Sequence, residues 1–179
     1  GRGAAEAAGV EDDVDFIAGT FSKSLGATGG FCISQHALLE AIRFSVRSYI
    51  FTASATPGVI ASVRTALKII SEEPQRRERL WENAHRLYTG LKQLGLAVGP
   101  SVSPVVAVTI ADRIQALQSW QALLEAGVYF NLVVPPASPT ENSMLRCSVS
   151  AAHSFEQIDH IITAFAAITA KYPASSPAV

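Results

Sequence analysis

A single lysine set among hydroxyl residues and glycines constrains this chain more than any other feature. The segment runs Gly19-Thr20-Phe21-Ser22-Lys23-Ser24-Leu25-Gly26-Ala27-Thr28-Gly29-Gly30, between apolar runs at Val14 to Ala18 and Phe31 to Ile33. Both flanks read as short buried strands, joined by a glycine-rich turn into an antiparallel pair. Two strands alone are not independently stable, so the pair requires further structure to pack on. A lysine between buried strands is costly unless its amine is paired, neutral or covalently modified. The hydroxyls of Thr20, Ser22 and Ser24 can hold an anion beside that amine, which suits a phosphate-bearing aldehyde joined to the lysine as an imine. The alternative is a strand-end lysine that reaches solvent along its flexible stem. A nucleotide-binding P-loop is excluded, because no glycine directly precedes Lys23 and Gly19 stands too close to it.

Composition narrows the class of partner. Of 179 residues, 49% are apolar and 16% charged, which places the chain among globular proteins. A net charge of −1 offers no basic field for nucleic acid or anionic membrane. No apolar run approaches the roughly 20 residues needed to cross a bilayer. Cys32 and Cys147 lie in predicted strands, far apart, and read as small buried hydrophobes of a reducing compartment, not as a disulfide or metal site. The chain begins Gly1-Arg2-Gly3, and its only methionine is Met144, so it is expected to be part of a longer chain.

After the lysine segment the sequence turns helical. Residues 1–13 predict a short helix and turn, and His36 to Val46 a helix through Leu38, Leu39, Ile42 and Val46. The stretch from Ser48 to Gly58 reads as a hydroxyl-rich loop, with Pro57 starting the next helix over Val59 to Ile70. A long helix follows from Gln75 to Leu94, and the domain boundary is placed within it. The remainder reads as a small α/β unit. It has a strand at Val105 to Ile110 covered on both faces, a helix at Asp112 to Glu125, strands at Val128 to Val134 and Leu145 to Val149, and a helix from Ser154 to Ala170. Ser154 and Gln157 have capping-box spacing. Alternation along the last strand sets Leu145 and Cys147 on one face and Arg146 on the other, where it is either a surface or salt-bridged residue or a bidentate grip for a carboxylate.

Taken together these landmarks resemble the α-oxoamine synthases, pyridoxal-phosphate enzymes of the aspartate-aminotransferase superfamily. The resemblance rests on Gly19 to Gly26 with Gly29-Gly30-Phe31, on Phe51-Thr52-Ala53-Ser54 with Pro57, on Pro135-Pro136-Ala137-Ser138-Pro139, and on Leu145-Arg146-Cys147-Ser148, all in family order. The wording around Lys23 is most similar to the serine palmitoyltransferase branch, which serves sphingolipid biosynthesis. The resemblance implies an α/β fold. Residues 1–58 would end a large cofactor domain with a mixed sheet, 59–95 would form connecting helices, 96–172 a small C-terminal α/β domain and 173–179 a flexible tail.

It also implies roles. Lys23 would bond pyridoxal phosphate and handle the substrate Cα proton. Thr20 and Ser22 would hydrogen-bond the cofactor, Thr52 would reach the cofactor of a neighbouring subunit in a homodimer, and Arg146 would bind the amino-acid carboxylate. No metal is implied. The reaction implied is decarboxylative condensation of a serine-like amino acid with an acyl-coenzyme A, in the cytoplasm. An aminotransferase of the same fold and a non-catalytic piece or subunit are the alternatives. Val134 departs from the branch, which tends to place an arginine before the Pro-Pro pair to assist with the carboxylate. Only 22 residues precede Lys23, so the family's ring-stacking group and pyridine-pairing carboxylate are expected outside this chain, and these residues alone are expected to be inactive.

Overall fold

Helix signals in the sequence translate directly into elements. A computed structural model describes residues 3–171, and the tail assigned to 173–179 lies outside them. Contacts divide the chain between Pro74 and Gln75 into two units.

The first unit opens with α1 (Ala4–Ala8) and a 3₁₀ turn (Glu11–Asp13). Strands β1 (Ile17–Thr20) and β2 (Gly30–Ile33) form an antiparallel ribbon in the register Ile17↔Ile33 to Thr20↔Gly30. Two short helices follow, α2 (Leu39–Ser45) and α3 (Arg47–Ile50), then the longer α4 (Pro57–Glu72). Thr56 caps α4 by accepting from the Val59 N–H at 3.4 Å, with Pro57 in the first turn where its missing N–H costs nothing. Among the described residues of this unit, the buried apolar ones are Phe21, Leu25 and Val63. The ribbon itself is not buried as expected: Ile33 is 53% exposed and Cys32 is exposed. A two-stranded ribbon has two faces and too little chain here to cover them.

The second unit carries most of the buried core. Helices α5 (Gln75–Gln93), α6 (Arg113–Glu125) and α7 (Phe155–Lys171) accompany a sheet of β3 (Val105–Ile110), β4 (Asn131–Val133) and β5 (Ser143–Ser148), ordered β3-β5-β4 and antiparallel throughout. Val106, Val108, Leu145 and Cys147 meet Leu87, Leu91, Leu123, Ile158 and Phe165 in one cluster. The continuous apolar reading of β3 is corrected by Val105, which is 41% exposed while Val106 is 2%. One face of this sheet is packed, so the strand alternates like any half-covered antiparallel strand. The predicted strand over Val128 to Val134 is also shortened, with Val128 and Phe130 buried ahead of β4.

α5 and α7 are joined in two further ways. Arg86 donates to both carboxylate oxygens of Asp159 at 2.6 and 2.7 Å, and the guanidinium groups of Arg79 and Arg86 lie 3.7 and 4.8 Å from the Phe155 ring centroid. The α7 N-terminus has the expected reciprocal cap. The Ser154 N–H donates to Gln157 Oε1 at 2.9 Å, and the Gln157 N–H to Ser154 Oγ at 3.2 Å. Among the described residues no helix is long and apolar enough to cross a membrane, and no group of His, Cys, Asp or Glu could hold a metal ion.

Candidate active site

In the first unit, Lys23 rides on the β1–β2 loop, whose backbone is tied across its width. The Phe21 N–H donates to the Gly29 carbonyl and the Ala27 N–H to the Phe21 carbonyl, both at 2.9 Å, and the Gly26 N–H closes on the Lys23 carbonyl at 3.0 Å. Ser22, Lys23 and Ser24 are exposed between the buried side chains of Phe21 and Leu25. Among the described residues the Lys23 ammonium has no ion-pair partner. Sequence reasoning expected the flanking strands to be buried and left open whether the lysine is modified or reaches solvent; the structure presents its amine to solvent from a fixed backbone.

The hydroxyls beside it form a small directional chain. Thr20 Oγ1 donates to the Gly29 carbonyl at 3.2 Å and accepts from the Ser22 N–H at 3.2 Å. With its one proton given to Gly29, Thr20 must accept from the Ser22 hydroxyl across their 2.9 Å contact. Thr20 is thereby saturated, whereas Ser22 keeps free lone pairs. Thr52, after α3, donates its hydroxyl to the Ser48 carbonyl and its N–H to the Tyr49 carbonyl at 3.2 Å. Thr20, Ser22 and Lys23 are thus brought together on one loop, while Thr52 is held separately at the end of a helical turn.

In the second unit, Arg146 pairs in register with Ala107 and Asn131 and points away from the packed face, between buried Leu145 and Cys147. It lines a cleft of about 570 Å³ with Tyr129, Asn131, Ser148, His153 and His160. Among the described residues Arg146 has no ion-pair partner, so its salt-bridged reading is not realised there. His160 Nε2 lies 2.8 Å from the Ala126 carbonyl, which can only accept, so that nitrogen carries a proton. His153 Nδ1 accepts from the Ser150 N–H at 3.1 Å.

The turn after β5 is fastened from below by Asn83 of α5. This fully buried side chain donates to the carbonyls of Ser150 at 3.0 Å and His153 at 2.9 Å. Sequence reasoning passed over Asn83, His153 and His160; the available signal was a polar Asn on the apolar stripe that includes Ala84 and Leu87. Burial pushes the Cys147 thiol up to about 11, as suits an inert core cysteine. Just after β4 ends, Val134 contributes its carbonyl, which accepts from the N–H groups of Ala137 and Ser138 at 2.9 and 3.2 Å.

Residues 1–165 match the family described as aminotransferase class I and II. The chain belongs to that family. Within this family it is 55% identical over 170 residues to serine palmitoyltransferase of Caulobacter vibrioides, covering 95% of this chain and 42% of that protein. It is 35% identical over 177 residues to 8-amino-7-oxononanoate synthase of an Anaeromyxobacter species, covering 99% of this chain and 44% of that protein. Serine palmitoyltransferase of Sphingomonas paucimobilis, solved with a bound pyridoxal phosphate–myriocin adduct, superposes with a TM-score of 0.89 at 44% identity, over 95% of this chain and 43% of that one. The mixed α/β fold expected from the sequence is therefore the fold found. The chain spans less than half the length of these relatives.

Proposed function

We propose that the whole protein is a pyridoxal-phosphate acyltransferase of the serine palmitoyltransferase type, to which this chain contributes the cofactor lysine and the carboxylate-binding arginine. The observation that carries the reading is Lys23: an unpaired, solvent-facing amine on a backbone loop tied at both ends. The donor set fits the cofactor, since a free amine can bond its aldehyde and the adjoining Ser24 hydroxyl can donate to its phosphate or ring oxygen, as can Ser22 once it turns its proton away from Thr20. Thr20 joins them only by giving up its bond to Gly29. When bound, the cofactor supplies an electron sink at the amino-acid Cα.

The chain's own residues then have separate tasks. Lys23 takes and returns the proton at Cα. Arg146 holds the amino-acid carboxylate through a planar fork of donors. In the overall reaction the bond from Cα to the carboxylate breaks and carbon dioxide leaves. A bond from Cα to the acyl carbon forms, and coenzyme A leaves as a thiolate that takes one proton from solvent to become the thiol. Val134, where the branch tends to an arginine, bears on the choice of amino acid. Thr52 is assigned to the cofactor of a second subunit in a homodimer, and the groups that stack on and pair with the cofactor ring come from outside these residues. By the same reading, residues 1–58 complete a large cofactor domain, 59–95 connect it and 96–172 form the small domain. Two unpaired cysteines suit the reducing cytoplasm.

The test is to add pyridoxal phosphate to the whole protein and follow a visible absorbance that borohydride bleaches. A band that persists in Lys23→Ala refutes the assignment. The description of the matched family favours aminotransfer as the second reading. Supplying serine and a long-chain acyl-coenzyme A separates the two, because only the acyltransferase releases free thiol and carbon dioxide.

A further inference from the structure

Lys23 has a long flexible stem, so the fold can fix only its backbone, and that is where the loop is most constrained. Phe21, two residues before it, is 8% exposed although its neighbours Thr20 and Ser22 both face solvent. Its N–H and C=O each take one of the 2.9 Å bonds that close the loop, to Gly29 and from Ala27. Its ring stacks on Phe31, with centroids 5.8 Å apart and planes 21° from parallel. Phe31 lies so close over Gly19 that a Cβ there would come 2.5 Å from Cζ of the ring, and a Cβ on Gly29 would come 3.4 Å from Phe21 itself. On the α4 side, Phe21 and Leu25 share a buried cluster with Val63. Apolar anchors therefore stand two residues before and two residues after Lys23.

We propose that Phe21 is a positioning residue, which fixes where the Lys23 amine and the Ser22 hydroxyl stand by clamping the loop between Phe31 and Val63 of α4. The proposal rests on the reading of Lys23 as the cofactor lysine. Phe21 meets no substrate; it acts through the two residues that follow it. Placement matters because a displacement of ~1 Å at a reacting group costs on the order of 100-fold in rate.

The test compares Phe21→Ala, Phe21→Leu and Val63→Ala in the whole protein. Two readouts are used besides activity: amide exchange of residues 22–29 without cofactor, and the affinity and pH midpoint of the borohydride-sensitive band. Phe21→Ala is expected to speed exchange in the loop, weaken pyridoxal phosphate about tenfold and move the pH midpoint. Phe21→Leu recovers most of each effect, and Val63→Ala reproduces a smaller version from a helix that carries none of the site's groups. Should Phe21→Ala fail to fold, the other two variants carry the same readouts. Folded variants with unchanged loop exchange, and affinity within about twofold of the parent, overturn the proposal. If the parent forms no trappable bond at Lys23, the cofactor reading fails, and the exchange measurement still decides whether Phe21 holds the loop.

Discussion

Gly90 on α5 provides a quantitative test of how tightly the small unit is packed. A Cβ at this position would stand 2.4, 2.8 and 3.2 Å from Cδ1, Cγ1 and Cγ2 of Ile162 on α7. Ordinary carbon contacts begin near ~3.5 Å, so Gly90→Ala demands a shift of about an ångström. Ile162 has little freedom to make it, because a β-branched side chain in a helix is nearly confined to one χ1 rotamer. The helices must part instead. Overpacking of this kind costs ~1–3 kcal/mol, and replacing Gly by Ala in a helix interior returns about 1 kcal/mol. Three conflicting atoms, two of them close to the Ile162 backbone, put the cost in the upper half of that range. The net expectation is a loss of ~1–2 kcal/mol. The sign should reverse once the obstacle is gone. In an Ile162→Ala background, Gly90→Ala should stabilise by about the propensity gain of ~1 kcal/mol. Urea denaturation of the four proteins of this double-mutant cycle measures the coupling directly. Equal destabilisation in both backgrounds would refute the packing argument, as would a stabilised Gly90→Ala single variant.

Other expectations follow from the site and its supports. Gly30→Ala would place a Cβ 2.6 Å from the Gly19 carbonyl oxygen, a backbone atom that cannot turn aside, so it should disturb the ribbon and reduce borohydride trapping at Lys23. Arg146→Lys keeps the charge but loses the bidentate fork, and steady-state kinetics should show KM for the amino acid raised about tenfold with kcat less affected. A thiol reagent at pH 8 should label Cys32, which is exposed, and reach Cys147 only after denaturation. Because the Cys147 thiol is raised to about 11 when folded, the unfolded chain loses that proton first. Stability should therefore fall between about pH 9 and 11, a slope that Cys147→Ala removes. Arg86 hydrogen bonds hold the Asp159 carboxyl below its ordinary range, so their contribution is present above that range and disappears as pH falls through it. Asp159→Asn should flatten the acid side of the stability profile.

Local signals carried far in this sequence. Ser154 and Gln157 had the spacing of a reciprocal cap, and Pro57 that of a helix start; both rules act within one turn, and both are met by the hydrogen bonds found. Alternation at Leu145, Arg146 and Cys147 likewise predicted which of them faces the core. Coverage was harder to read, because it depends on elements distant in sequence. An unbroken apolar run at Val105 to Ile110 looks the same whether one sheet face is packed or both. The apolar flanks of Lys23 look buried until the ribbon proves to have few neighbours. The site divides in the same way. Lys23 and Arg146 stood out by residue type and motif, whereas Phe21 and Asn83 were hidden. Their importance lies in backbone carbonyls and amides they engage across 6 to 70 residues of chain, which no local pattern encodes.

The three bonds of Thr20 have one more consequence. Its single proton adds a second bond to the Gly29 carbonyl beside that of the Phe21 N–H, and its lone pairs are taken by Ser22. Any ligand oxygen that recruits this hydroxyl must win that proton from Gly29, so occupancy and this second bond compete for one hydrogen atom. Anion binding at Thr20 then leaves Gly29 held by the Phe21 N–H alone.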